Sequence, residues 1–177
     1  YNTYVVFVTR QSECLVPDQR NFKKIIININ PLKTWQRILY ENTMLHYEGL
    51  KHKIDCFHWF ANIVSPFSVV PGLVTIYDLL PLRNPGSYST IKHLYLKIVL
   101  NVTAKKARVI LPISNATSLD IIRILKPKTD KLHVLPVIIN DTFKPSHESE
   151  IIRFKIRYQL PDKFWLYVAN FYPHKNH

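Results

Sequence analysis

Arg108-Val-Ile-Leu-Pro-Ile-Ser-Asn-Ala-Thr-Ser-Leu-Asp-Ile-Ile-Arg-Ile-Leu125 changes period partway along its length. Residues 108–113 are apolar on both faces, the pattern of a strand covered on both sides. From residue 115 the apolar positions recur at helical spacing. Ser114 stands at the junction, where its hydroxyl can cap the first free N–H groups of the helix, and Pro127 stops that helix. A strand that runs directly into a capped helix is the building unit of a parallel sheet.

The same alternation extends in both directions. Short β-branched or aromatic runs at 3–9, 24–29, 54–59, 73–77, 132–138 and 164–170 read as strands. Residues 32–47 read as a helix with Trp35, Ile38, Leu39 and Leu45 inward. Residues 90–106 read as another, with Ile91, Leu94, Tyr95, Ile98, Val99 and Val102 on one stripe, and 150–159 as a third. The predicted fold class is α/β, a parallel sheet with helices on both faces. A chain of 177 residues accommodates one such domain and part of another. The polar segment 143–150, with Pro145, Ser146 and Ser149, places the boundary near 145, giving domains 1–144 and 145–177.

Composition narrows the class. A hydrophobic fraction of 47% argues for a packed core. The longest apolar runs, 63–74 and 108–114, fall short of the roughly 18 to 20 residues that span a bilayer. No signal segment opens the chain, and the two cysteines, Cys14 and Cys56, suit free buried thiols in the cytoplasm. Three Asn-x-Ser/Thr matches, at Asn101, Asn115 and Asn140, are read as chance. The net charge of +12 favours polyanions, whether nucleic acid, an anionic membrane or a phosphorylated ligand, but it also fits a solvated basic face. No nucleic-acid module accompanies the charge, which argues against that partner. Three glycines leave no Gly-rich phosphate loop. The cysteines have no partners at zinc spacing, the only paired acids are Glu148 and Glu150, and no Gly-x-Ser-x-Gly elbow occurs. No metal ligand set is assigned.

Four segments in order carry a resemblance: Asp55-Cys-Phe-His58, Val74-Thr-Ile-Tyr-Asp-Leu-Leu-Pro-Leu-Arg-Asn-Pro85, the stretch quoted at the outset, and Phe164-Trp-Leu-Tyr-Val-Ala-Asn-Phe-Tyr-Pro-His-Lys-Asn176. Together they resemble glycosyltransferase family 4, the retaining enzymes of GT-B fold, and within it the mannosyl- and rhamnosyltransferase-like members. The resemblance implies a Rossmann-like acceptor-side domain over 1–144 that lacks its first strand. It also implies a linker, a helix and the first strand and loop of a truncated Rossmann-like donor-side domain over 145–177. The implied activity is transfer of a sugar, mannose or rhamnose, from a nucleotide sugar to a growing glycan or lipid-linked acceptor in envelope polysaccharide or lipopolysaccharide synthesis. Such enzymes need no cofactor and are expected to work without a metal. The implied location is cytoplasmic, peripheral at the inner face of the cell membrane, with an anionic membrane surface as a further partner. The 177 residues alone are expected to be inactive. A different class remains open: a non-catalytic Rossmann-like binding module or remnant that holds an anionic partner through its basic face.

Candidate residues follow from strand ends, because open α/β sheets bind ligands there. Asp78 ends an apolar strand, where a carboxylate can orient an acceptor hydroxyl or hold the next loop through its amides. Ser114 ends the opening strand. His58 matches a family histidine and lines the cleft in that reading; beside Trp59 and Phe60 it also fits a satisfied rim residue. Arg83 is placed to meet an anionic acceptor or lipid phosphate, or else is solvated. The resemblance assigns Lys175 and Asn176 to the donor diphosphate, where a lysine neutralises the charge that grows on the leaving group. The sequence departs from the family at Tyr77, where histidine is frequent, at Ala169, where glycine is common, and at His174, where arginine is frequent. The acidic pair near the donor sugar has no counterpart in these residues, so no catalytic residue is assigned.

Overall fold

The structure, a computed structural model, describes every residue except Tyr1, Pro31, Asn140, Asp141, Tyr172, Pro173, His174, Asn176 and His177. Strands and helices alternate as β1 (Tyr4–Val8), β2 (Phe22–Ile26), α1 (Thr34–Asn42), α2 (Met44–Lys51), β3 (Phe57–Trp59) and β4 (Gly72–Ile76). They continue with α3 (Leu80–Arg83), α4 (Thr90–Lys106), β5 (Val109–Pro112), α5 (Asn115–Ile124) and α6 (Glu148–Arg157). Every strand pair is parallel. This is the α/β, Rossmann-like architecture that the alternation predicts. The chain divides into two compact units, residues 1–137 and 138–177.

In the first unit the expected single sheet forms as two ladders, β1-β2 and β3-β4-β5. Ladder bonds need strands about 4.8 Å apart, and none joins β1 to β3 among the described residues. The two meet through side chains instead: the Phe7 ring lies 6.4 Å from that of Phe57 and 6.5 Å from that of His52. β4 is central to its ladder, and its Val74 and Ile76 are fully buried. Around them pack Leu79, Leu100, Ala104, Ile110 and Ile121. Gly49 lets α2 lie against β3, since a Cβ there would stand 2.6 Å from Phe57 Cζ.

Residues 132–138 form only an edge bridge. Leu132 pairs with Ile110, and His133 and Leu135 donate to the carbonyls of Ile110 and Pro112. Pro136 follows without an N–H to donate.

The expected helix over 32–47 breaks at Thr43, whose φ of −129° and ψ of −80° leave the helical region. Asn42 Nδ2 and Thr43 Oγ1 donate back to the carbonyls of Ile38 and Leu39, at 2.7 and 2.6 Å, a pattern that bends helices. Trp35 and Leu39 consequently stand exposed instead of facing inward, while Leu45 packs on the core.

α4 runs over the residues expected, capped where Ser89 Oγ accepts from Lys92 N. Its orientation is the surprise. A stripe such as Ile91, Leu94, Tyr95 and Ile98 is the one a globular helix turns to its core, yet here it faces out, with Ile91 85% exposed. The buried side is Leu100, Thr103 and Ala104. Thr103 Oγ1 accepts from Val64 N at 3.0 Å, and the small side chains let α4 sit close to the loop before β4.

The second unit holds α6, with Glu148 and Glu150 in its first turn and Lys155 and Arg157 in its last, the charge order that suits the helix dipole. The strand expected over 164–170 forms no ladder among the described residues, and Trp165 and Val168 are exposed. A lone strand has nothing to pair with there, since every described strand lies in the first unit. Cys14 and Cys56, expected as buried thiols, are exposed.

The burial pattern sets a stability contrast. Ile76→Ala should cost about 2 to 5 kcal/mol, whereas Ile98→Ala, on the outward face of α4, should stay within about 0.5 kcal/mol of the parent. Urea denaturation of the two variants measures both.

Candidate functional site

The carboxyl ends of β4 and β5 converge on one rim. After β4, the Tyr77 N–H donates to Asn62 Oδ1 at 2.8 Å, and Asn62 takes a φ of 63° that asparagine tolerates better than most residues. The Tyr77 carbonyl accepts from Thr117 Oγ1 at 3.1 Å. Thr117 spends its hydroxyl proton there, so Ser114 is the donor in the 3.0 Å contact between their oxygens. Ser114 Oγ also accepts from Thr117 N at 3.1 Å and caps α5, as the sequence predicts. Its hydroxyl proton is therefore used in joining the β5–α5 turn to the end of β4.

Asp78 and Arg83 flank this knot. Asp78 Oδ1 accepts from Leu80 N at 2.9 Å and opens α3. Arg83, at the end of α3, pairs its Nη1 with Asp120 Oδ2 of α5 at 3.0 Å. The guanidinium is 57% exposed, so the pair contributes at most about 1 kcal/mol and can exchange for another anion at little cost. Asp78, Arg83 and Ser114 thus share one rim.

His58 lies on β3, away from the strand ends. It points to the face opposite Phe57 and Trp59, with Nε2 2.8 Å from Thr75 Oγ1 and its ring 3.9 Å from that of Phe60. Thr75 and Tyr77 share that face through the two-residue period of β4. The ring is exposed on one side, yet its contacts with Thr75 and Phe60 strip enough water to lower its pKa below the ordinary 6.5. Its surroundings thus favour the neutral imidazole.

Lys175 belongs to the second unit. It is exposed, and its carbonyl accepts from the Tyr167 hydroxyl at 3.1 Å. Asn176 lies outside the described residues. No group of three or more His, Cys, Asp or Glu that could hold a metal occurs among the described residues.

Sequence reasoning missed the residues that hold the rim together. Asn62 and Thr117 reach Tyr77 from 15 and 40 positions away, distances no local pattern encodes. It also missed a shallow groove of about 340 Å³ at the carboxyl ends of β1 and β2, where Thr9, Arg10, Gln11, Asn28 and Asn30 line the wall. The signal was available: each run follows a predicted strand, where such sheets bind ligands.

No protein-family profile and no curated protein matches the chain. Among solved structures, the crystal structure of a glycosyltransferase from Rickettsia africae ESF-5 is similar to it, with a TM-score of 0.52 over 90% of this chain at 17% identity. The fold is glycosyltransferase-like. The chain spans 42% of the length of that glycosyltransferase.

Two histidines weaken the fold in acid. His46 of α2 is buried, with Nε2 2.9 Å from Ser65 Oγ, and Nδ1 has no partner; burial and then the charge of Lys106 lower its pKa. Because Ser65 donates its own proton to Asn42 Oδ1, Nε2 carries the hydrogen and Nδ1 is bare. For both histidines the folded pKa lies below the unfolded value of about 6.5, so the unfolded chain takes up the proton first. Their contribution to stability is present above about pH 6.5 and is lost as pH falls through the lowered values. Urea midpoints should drop between about pH 7.5 and about pH 5.5, less steeply in His46→Gln. By NMR, the His58 ring should titrate below its ordinary value and move back toward it in Phe60→Ala.

Proposed function

We propose that the chain is part of a retaining glycosyltransferase of family 4, with residues 1–144 as the acceptor-side domain and 145–177 as the linker and start of the donor-side domain. The observation that carries this reading is the likeness of fold to the Rickettsia africae glycosyltransferase over 90% of the chain. The reaction is transfer of a sugar, mannose or rhamnose, from a nucleotide sugar to a glycan or lipid-linked acceptor, without a metal and with retention. The working location is the cytoplasmic face of the cell membrane.

Each residue takes a role its contacts allow. Asp78 keeps Oδ1 on the Leu80 amide, and Oδ2, with no partner among the described residues, accepts an acceptor hydroxyl. Arg83 exchanges Asp120 for an anionic acceptor group. Ser114, its hydroxyl proton committed, positions the rim. His58, bonded to Thr75, lines the β3 side. Lys175 takes the donor diphosphate, where a positive charge stabilises the leaving group as the glycosidic bond breaks, and the resemblance assigns Asn176, outside the described residues, to the same group.

In a chain that carries both domains, Lys175→Ala should lower kcat/KM by roughly ten- to a thousand-fold, the scale of one lost contact to a developing anion. An unchanged rate with the fold intact removes Lys175 from the site. Failure of the two-domain chain to transfer from any nucleotide sugar overturns the transferase reading in favour of a binding module. The 177 residues alone should show no turnover.

A further inference from the structure

α4 presents an apolar face that no described residue of the first unit covers. Ile91, Leu94, Tyr95 and Ile98 recur at helical spacing along this 17-residue helix, and they are 85, 56, 43 and 56% exposed. The opposite side, with Leu100 and Ala104, is already in the core, so the helix carries two apolar stripes with lysines between them. An exposed apolar stripe of this length marks a surface that binds something.

The charges around the stripe say what. Between Asp78 and Asp120 there is no acidic residue, while Arg83, Lys92, Lys97, Lys105, Lys106 and Arg108 all fall there. On the helix, Lys92 and Lys106 border one side of the apolar stripe and Lys97 the other, as the 3.6-residue period places them. The Lys92 ammonium lies 5.0 Å over the Tyr88 ring at the start of the helix. At its end, Lys131 Nζ donates to the Lys105 carbonyl at 2.8 Å, adding a cation there. Lys106 Nζ donates to the Pro66 carbonyl, which brings the exposed Phe67 beside the same end. A stripe of Ile and Leu with tyrosine at its margin and lysines on both flanks is the chemistry of a helix lying in a lipid interface. The apolar side chains enter the acyl boundary, and the long lysine stems keep their ammoniums among the headgroups. A protein partner would be expected to supply acids; a bilayer with anionic lipid supplies them as a continuous sheet.

We infer that α4 docks the protein flat on an anionic membrane surface through Ile91, Leu94, Tyr95 and Ile98, with Lys92, Lys97, Lys105 and Lys106 on the headgroups. This rests on the membrane location in the proposed function and is independent of the transfer chemistry. The helix, about 25 Å long, would set the rim at β4 and β5 at a fixed height above the lipid.

The test uses the 177-residue chain and extruded vesicles of phosphatidylcholine with or without phosphatidylglycerol, read by co-sedimentation. The parent should bind the anionic vesicles at low salt, bind less as salt approaches about 0.15 M, and bind neutral vesicles poorly. Leu94→Ser with Ile98→Ser should weaken binding at least about tenfold, because both side chains enter the acyl region. These positions are exposed, so circular dichroism should show the fold unchanged. Lys92→Gln and Lys97→Gln, which leave the apolar face intact, should each cost about fivefold at low salt and little at high salt. If the parent binds but the serine variant binds as well, α4 is not the docking face and only the location survives. If the parent fails to bind anionic vesicles at low salt, the membrane location falls with it, while the transfer assay of the two-domain chain still stands or falls separately. Tighter binding to a random duplex at equal ionic strength, or a concentration-dependent dimer abolished by the serine variant, overturns the inference in favour of nucleic acid or a second copy.

Discussion

β4 is the strand on which the rest of the first unit depends. It is the central strand of its ladder, between β3 and β5, and its Val74 and Ile76 are fully buried. Burying a strand on both faces and both edges satisfies its backbone groups internally and removes its apolar side chains from water together. The candidate rim hangs from this strand: Gly72 at its start fits under Trp59, where a larger side chain would collide with the indole, and Tyr77 and Asp78 leave its carboxyl end into the rim.

The rim itself is held by hydrogen bonds among side chains and the Tyr77 backbone. Asn62 takes the Tyr77 N–H and Thr117 takes its carbonyl, so the backbone on both sides of one residue is gripped, from the loop after β3 and from α5 at once. Side chains supported in this way stay where the fold puts them, which is what a binding site requires of its surroundings. The exposed members, Asp78 and Arg83, remain the adaptable ones, since the bonds they make are to groups that water or a ligand can replace.

Much of this was legible in the sequence because it depends on neighbours along the chain. Ser89 and Ser114 cap the helices that follow them, and the β-branched runs before residues 77 and 113 are strands, because capping and pleating are local events. The break at Thr43 was not legible, because Asn42 is held by Ser65 from 23 residues away. The face of α4 was misread for a different reason. Leu96, Leu100 and Ala104 form a second apolar stripe, and periodicity cannot choose between two stripes on one helix. Thr103, which reads as polar, lies on the buried side because its hydroxyl has Val64 N to bond. At the candidate site the sequence placed Asp78 and Ser114 at strand ends and Arg83 in the loop after Asp78, but it could not show that the Ser114 hydroxyl proton goes to Thr117 or that Arg83 answers to Asp120.

The separation of β1-β2 from β3-β4-β5 has a mechanical consequence. Where two ladders share hydrogen bonds, one cannot move without breaking the other's; here no ladder bond crosses the boundary among the described residues, and the Phe7 ring meets those of Phe57 and His52 across it. The joint between the ladders therefore rests on side-chain packing, so a change of side chain at Phe7 or Phe57 bears on how the two ladders meet without touching either register. The groove bordered by Arg10, Asn28 and Asn30 lies on one side of that joint and the rim of Asp78 and Arg83 on the other.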